Sequence, residues 1–443
     1  MSKKTSKAPS FKSLMKRCDE IGKDSAKHYM VISSPSPSAT LASAILCKSM
    51  LSARSLFHLT ITEPVLDIDT VNDIRKIHEK STIFLVGIDV IGDKRVRKGK
   101  SYPVLFGSQS ESEHASSLTL GTRETLAAAA YAYVESISED PSSEEYLHLA
   151  AAGSLVDSFP NPKLKGASKE LVESAKKKGL VEERKGFRLF GVNFMPLNEV
   201  LTFSIRPYLH NLSGMSDACD KLCTDADLPF SKFRLPLNAL SKDEATRLTT
   251  HLIPMLEPRS IPLVLGQDFV LTSENEDSPV KLLSGIKAQA ETAWSLGESG
   301  AAIAIWMGDR ARILRSLLDS CMTYSRDAIT SAREVIKNFT KLVGSDSSDS
   351  VTKIPVKSIQ EGVFADVGRI LIESGKVETK GVILSSEDTL GFVWRDDTHI
   401  LQDVLLTLKE NGLEPKSTSS QSIRLKFNPE EREETVRILD SVL

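Results

Sequence analysis

The chain has 443 residues, long for one compact core, and a prior of about 150 residues per domain predicts two or three units. Its 56 basic and 59 acidic side chains nearly cancel, leaving a net charge of -3 and a pI near 6.3, which excludes a global field that would draw it onto nucleic acid or anionic lipid. With 40% apolar and 26% charged residues it reads as an ordinary globular chain, and no apolar run approaches the roughly 18 residues of a bilayer span, so no membrane partner is expected. The basic N-terminus lacks the apolar core of a signal peptide, which predicts an intracellular protein. Cys18, Cys47, Cys219, Cys223 and Cys321 are few and scattered, as reduced thiols are. Cys219 and Cys223 stand one helical turn apart, but no second Cys/His pair follows at zinc-site spacing.

Phe11, Leu14, Met15, Cys18 and Ile21 recur at helical spacing and predict a helix over about residues 11 to 25. His28–Ser34 predicts a strand, Ser33–Thr40 a Ser/Pro loop and Leu41–Leu51 a helix. Strand Ser55–Thr62, helix Thr70–Lys80 and strands Ser81–Ile88 and Tyr102–Ser108 continue the alternation. Such alternation predicts a mostly parallel sheet with helices on both faces. Ligands then bind beyond the carboxyl ends of the strands, at the loops Ser33–Thr40, Asp89–Lys100 and Gly107–His114. Helices follow over Glu124–Ile137, Glu144–Ser158 and Ser168–Leu180, then a short hairpin, Val181–Gly191. Helices predominate again through about residues 290–343, before a linker at Gly344–Ser350. The remainder predicts a small α/β unit: strand Ile354–Lys357, helix Val363–Ser374, strands Lys380–Ser386 and Leu390–Asp396, helix Ile400–Gly412, strand Gln421–Phe427 and helix Glu430–Leu439.

This order, with Ala42–Leu46 (ASAIL), Leu149–Ser158 (LAAAGSLVDS), Gly179–Gly191, Phe203–Gly214 (FSIRPYLHNLSG) and Gly297–Asp309 (GESGAAIAIWMGD), resembles the archaeal RecJ-like proteins of the DHH phosphoesterase superfamily. That family also holds cell division control protein 45. The resemblance implies a DHH-like α/β domain over residues 1–215, a mainly helical connecting region over 216–343, a linker at 344–352 and a DHH-associated α/β domain over 353–443. Active members carry His-x-Asp-x-Asp-Gly in the first loop, because two divalent cations need clustered oxygen ligands and an imidazole. Aligned on Ala42-Ser43-Ala44, this chain places Pro35, Pro37, Ala39 and Thr40 opposite His, Asp, Asp and Gly. The Asp-His-His signature falls on Gly107-Ser108-Gln109. Asp157 keeps the pattern of the third ligand region, and Asp89 is a neighbour at a strand exit. An Asn-Ala-x-Gly-Arg type motif, which would grip a nucleic-acid backbone, becomes Glu291-Thr292-Ala293-Trp294-Ser295. The phosphate loop falls in Asn411–Leu425, which retains Gly412 and has no histidine.

No catalytic residue, metal or other cofactor is therefore expected. The resemblance implies a non-enzymatic DNA replication factor, cytoplasmic and nucleoid-associated in an archaeon, acting as a structural subunit with the GINS complex and the MCM helicase. A candidate partner segment is Leu235–Leu256, whose plainer reading is a helix packed on its own core. Single-stranded DNA is a second candidate partner, with Lys94, Arg95, Arg97, Lys98 and Lys100 in one basic loop and Arg395 in the C-terminal unit. A solvated loop, and an arginine paired with Asp396 or Asp397, are the plainer readings. A third alternative is a residual metal-dependent single-strand exonuclease using Asp89 and Asp157.

Overall fold

The structure, a computed structural model, describes residues 10–21, 28–91, 104–106, 124–137, 144–342, 351–356, 359–395 and 401–442. In chain order the first elements are α1 (Phe11–Ile21), β1 (His28–Ser33), α2 (Pro37–Ser52), β2 (Leu56–Ile61), β3 (Val65–Asp67), α3 (Ile68–Ile77), β4 (Thr82–Val86), β5 (Asp89–Ile91) and β6 (Val104–Phe106). Next come α4 (Leu126–Ile137), α5 (Glu144–Val156), α6 (Gly166–Lys177), β7 (Val181–Phe187), α7 (Leu197–Thr202), α8 (Ser216–Asp225), α9 (Phe230–Phe233), α10 (Lys242–Leu252), α11 (Ile261–Val264) and β8 (Leu265–Leu271). Then follow α12 (Leu283–Leu296), α13 (Ser299–Met307), α14 (Arg312–Leu342), β9 (Val351–Pro355), α15 (Phe364–Glu373), β10 (Gly381–Ser385), β11 (Thr389–Trp394), α16 (Leu401–Glu410), β12 (Lys416–Ser419), β13 (Ser422–Lys426) and α17 (Arg432–Ser441). The chain divides into two compact units: Met1–Glu183 with Phe269–Ser273 and Glu298–Leu317, and Arg184–Asp268 with Glu274–Gly297 and Leu318–Leu443.

The first unit is built on a parallel sheet of order β2-β1-β4-β6. Alternate side chains of β1 and β4 point to opposite faces, and both faces are covered. Met30, Ile32, Ile83 and Leu85 pack with Val71 and Ile74 of α3 on one side. On the other, Phe84 meets Tyr133 of α4 edge-on, with ring centroids 5.2 Å apart. α2 is buried over Pro37–Cys47 because the sheet, α4, α5 and α13 surround it. Its small residues Ser38, Ala39, Ala42, Ser43 and Ala44 permit that close approach. Gly153 of α5 is required for the same reason, since a Cβ there would stand 2.5 Å from Ala127 Cβ and 3.1 Å from Leu41 Cβ.

The second unit holds a mixed sheet of order β12-β13-β11-β10-β9, in which only β9 and β10 run parallel. β10 and β11 are buried along their whole length. Val382, Leu384 and Val393 join Val367, Ile370 and Leu371 of α15 and Tyr324, Ala328 and Ile329 of α14 in one core.

Three expectations are corrected. The first loop ends at Ser36: Pro37 opens α2, because proline presets the helical φ and has no N–H to leave unbonded in the first turn. The predicted hairpin Val181–Gly191 does not form, since β7 is one continuous strand paired with the distant β8. Only Lys242–Leu252 of the candidate partner segment is α-helical, begun by a capping box between Ser241 and Glu244.

Candidate functional site

The natural place for a ligand in the first unit is the crevice at the carboxyl ends of β1 and β4. Consecutive strands leave β1 toward β2 on one side, and the chain crosses to β4 on the other. The chain at that point is Ser34-Pro35-Ser36 and the first turn of α2, facing Gly87-Ile88-Asp89. Ser34 N–H donates to the Val86 carbonyl at 2.9 Å, which ties the two strand exits together.

The hydroxyls there bond to the backbone or to each other. Ser33 Oγ donates to the Ser34 carbonyl at 2.9 Å, and Thr40 Oγ1 donates to the Pro37 carbonyl at 2.8 Å. Ser34 Oγ and Ser36 Oγ share a hydrogen bond at 3.2 Å. Ser299 of α13 donates its Oγ to the Pro35 carbonyl at 3.3 Å. The space between the strand exits is filled as well. Gly87 has φ of +65°, and a Cβ added to it would lie 2.7 Å from Ser34 Oγ, 3.1 Å from Ala39 Cβ and 3.2 Å from Leu126 Cδ1.

Two divalent cations need several anionic oxygens or imidazoles converging on a cavity. Among the described residues, hydroxyls bonded to carbonyls or to each other, prolines and alanine in a crevice too tight for one methyl group do not fit that requirement. Asp89 begins β5, where its N–H donates to the Pro64 carbonyl at 2.8 Å. Asp157 is exposed in the turn after α5. Among the described residues no group of three or more His, Cys, Asp or Glu is placed to hold a metal ion.

In the second unit, the residues aligned with the backbone-gripping motif are turned inward. Arg206 donates through Nη1 to Thr292 Oγ1 at 2.8 Å and through Nη2 to Ser295 Oγ at 3.3 Å. The same Nη2 meets Asp366 Oδ2 at 2.5 Å. Tyr324 Oη donates to that oxygen at 2.8 Å, and Arg369 Nε donates to Asp366 Oδ1 at 3.0 Å. Arg369 also reaches the Ile205 carbonyl and, at 2.5 Å, Glu373. Burial pushes the Asp366 carboxyl up, but Arg206 and Arg369 pull harder and hold it below the usual carboxylate range. Trp294 Nε1 donates to the Ser417 carbonyl at 3.2 Å, and Ser295 Oγ donates to the Thr418 carbonyl at 3.0 Å. The motif-equivalent side chains thus cement α12 to its neighbours.

The other sequence candidates fall in two groups. Arg395 is half-buried, and its guanidinium donates to the Thr379 carbonyl at 2.8 Å and to that of Val377. Lys94, Arg95, Arg97, Lys98 and Lys100 lie outside the described residues, as do Gly107-Ser108-Gln109 and Asp396-Asp397. Sequence reasoning missed Arg206 and Asp366 as a buried pair. The available signal was Asp366, a carboxylate in the apolar pattern of FADVGRILIE.

No protein-family model and no curated protein sequence matches the chain. Among solved structures, CDC45 from Entamoeba histolytica overlaps it with a TM-score of 0.61 at 12% identity, covering 98% of each chain. RecJ in complex with Mn2+ from Thermus thermophilus gives a TM-score of 0.47 at 13% identity, over 97% of this chain and 54% of that one. The end-to-end overlap with CDC45 shows that the chain shares the α/β fold of that structure.

Proposed function

We propose that this chain, built on the CDC45-type fold, is a replication factor that works through its surfaces, without phosphoesterase chemistry. Its partners on this reading are the GINS complex and the MCM motor of an archaeal replicative helicase, where it serves as a structural subunit. The observation that carries the reading is the closed crevice between β1 and β4, where Gly87, Ser34, Ala39 and Leu126 occupy the position a ligand would take. Its likeness to CDC45 over 98% of both chains supports the choice of a replication role. Contact with single-stranded DNA is the weaker reading, because the Arg395 guanidinium already serves two backbone carbonyls.

Reconstitution with purified GINS and MCM tests the proposal. A stable co-eluting complex, with no manganese-dependent release of nucleotides from single-stranded DNA, is the expected result. Failure to bind both partners overturns the structural role. Nucleotide release abolished by Asp157→Ala overturns the loss of chemistry.

A further inference from the structure

The strand β2 is one edge of the parallel sheet in the first unit. Ser33 of β1 lies opposite Ile61, and Thr62 N–H donates to the Ser33 carbonyl at 3.0 Å. Successive backbone groups of a strand point in opposite directions, so the even-numbered residues here face β1. Phe57, Leu59 and Ile61 therefore turn their N–H and C=O groups to the open side. Among the described residues no hydrogen bond reaches those groups.

An open edge of this kind is a template for another strand, and folded proteins ordinarily protect it with lysine, proline, a bulge or a covering element. Both edges of the sheet in the second unit carry such protection. On β9, Val356 N–H donates to the Ser385 carbonyl of β10, so the odd-numbered residues face outward; of these Lys353 is exposed and Pro355 has no N–H. On β12 the register breaks between Ser417 and Ser419, and α12 occupies the Ser417 and Thr418 carbonyls. The run Leu56-Phe57-His58-Leu59-Thr60-Ile61 has no lysine, carboxylate, proline or bulge. It is also apolar at its start, where Leu56 is 66% exposed and Leu51, at the end of α2, is 59% exposed. Arg54, exposed between them, is the nearest charge in sequence.

We infer that β2 is a docking edge for an extended strand of a partner protein, uncharged along its paired length, apolar where it meets Leu51 and Leu56, and acidic beside Arg54. Backbone hydrogen bonds supply the pairing, and the exposed leucines supply the selectivity. A second copy of this chain fits less well. The backbone parity requires a two-fold antiparallel pairing to centre on a residue such as Leu59 or His58. That sets Leu56 against Thr62 or Thr60, leaving the leucines without an apolar partner.

The inference rests on the helicase-subunit reading for its probe, the reconstituted GINS complex. Leu59→Pro removes one outward N–H without touching the ladder to β1, and Leu56→Lys puts a charge on the exposed leucine while keeping the backbone intact. Both variants are compared with wild type by titration calorimetry against GINS, with thermal unfolding to confirm the fold. The expected result is binding by wild type and a loss of at least about tenfold in each folded variant. Should Leu59→Pro not fold, Leu56→Lys alone decides. Equal binding by wild type and folded variant overturns the edge and leaves the helicase reading standing. No binding by wild type to GINS or MCM overturns that reading and this partner with it. Concentration-dependent self-association in sedimentation, abolished by Leu56→Lys, overturns the foreign partner in favour of a second copy.

Discussion

Around Ser34 and Gly87 the side chains are small or apolar; Ser33 and Thr40 donate to carbonyls at most three residues away, Ser34 and Ser36 share a hydrogen bond, and Ser299 donates to the Pro35 carbonyl. Around Asp366 the opposite holds: charged and hydroxyl side chains from α12, α14, α15 and the segment before α8 bond to one another in a buried cluster. Both places are where the sequence resemblance leads one to expect ligand-binding motifs. The first holds no charged side chain over Ser33–Thr40 and is closed by packing. The second has kept polar side chains and spends them on each other. Their energetics must differ, because a packed apolar crevice depends on volume while a buried ionic cluster depends on every member being present.

The largest effect is expected at Asp366. Replacing it with alanine leaves the half-buried Arg206 and Arg369 without their shared counter-ion, which costs about 3 kcal/mol, the lower end for broken buried ion pairs. Urea unfolding measured by circular dichroism checks this. A loss under about 1 kcal/mol would mean that Glu291 and Glu373 compensate, and that the cluster is less dependent on each member than its geometry implies.

Acid gives a reversible and smaller version of the same perturbation. The folded Asp366 carboxyl is held below its unfolded value of about 4, so its contribution is complete above that value and is lost as pH falls through the folded one. The stability difference between wild type and Asp366→Asn should therefore shrink below about pH 4. The stretch Ser33–Thr40 has no titratable side chain and adds nothing to this dependence. A difference that stays constant with pH would contradict the assignment.

Gly87→Ala probes the closed crevice by volume. The added methyl meets Ser34 Oγ at 2.7 Å and Ala39 Cβ at 3.1 Å, on a backbone with φ of +65°. Overpacking and left-handed strain together are expected to cost about 1–3 kcal/mol. Thermal unfolding unchanged from wild type would mean that the crevice can open. The closed-site reading would then weaken.

How much of this contrast is legible in the chain depends on the range of the interactions. The strands β1 and β4 and the helices α4, α5 and α15 announce themselves by local apolar patterning, and the absence of ligands in Ser33–Thr40 is a property of the residues themselves. The start of α2 is obscured because Pro35 and Pro37 read as a stiff loop, whereas the second of them is the first helical residue. β7 is hidden because Gly186 suggests a turn, while its partner lies beyond five intervening helices at Leu265–Leu271. β12, Lys-Ser-Thr-Ser, has no apolar residue to signal a strand. Arg206 and Asp366 are 160 positions apart, so neither can be read as the other's partner. Thr292 and Ser295 are visible in the sequence, but that their hydroxyls hold Arg206 is not.

Ser34→Ala should have the smallest effect, and it separates the two regions most cleanly. Ser34 is buried at the head of β1, where its Oγ shares a hydrogen bond with the Ser36 hydroxyl at 3.2 Å. Alanine removes that oxygen while keeping the methylene that packs beside Gly87, and Ser36, only half-buried, can turn its hydroxyl to water. The net worth of such a bond is about 0.5–1.5 kcal/mol, and relief of crowding at Gly87 offsets part of it. A loss below about 1 kcal/mol is expected, against several times that at Asp366. If Ser34→Ala instead cost as much as Asp366→Ala, the crevice would be held by a polar network rather than by volume, and the contrast between the two regions would collapse.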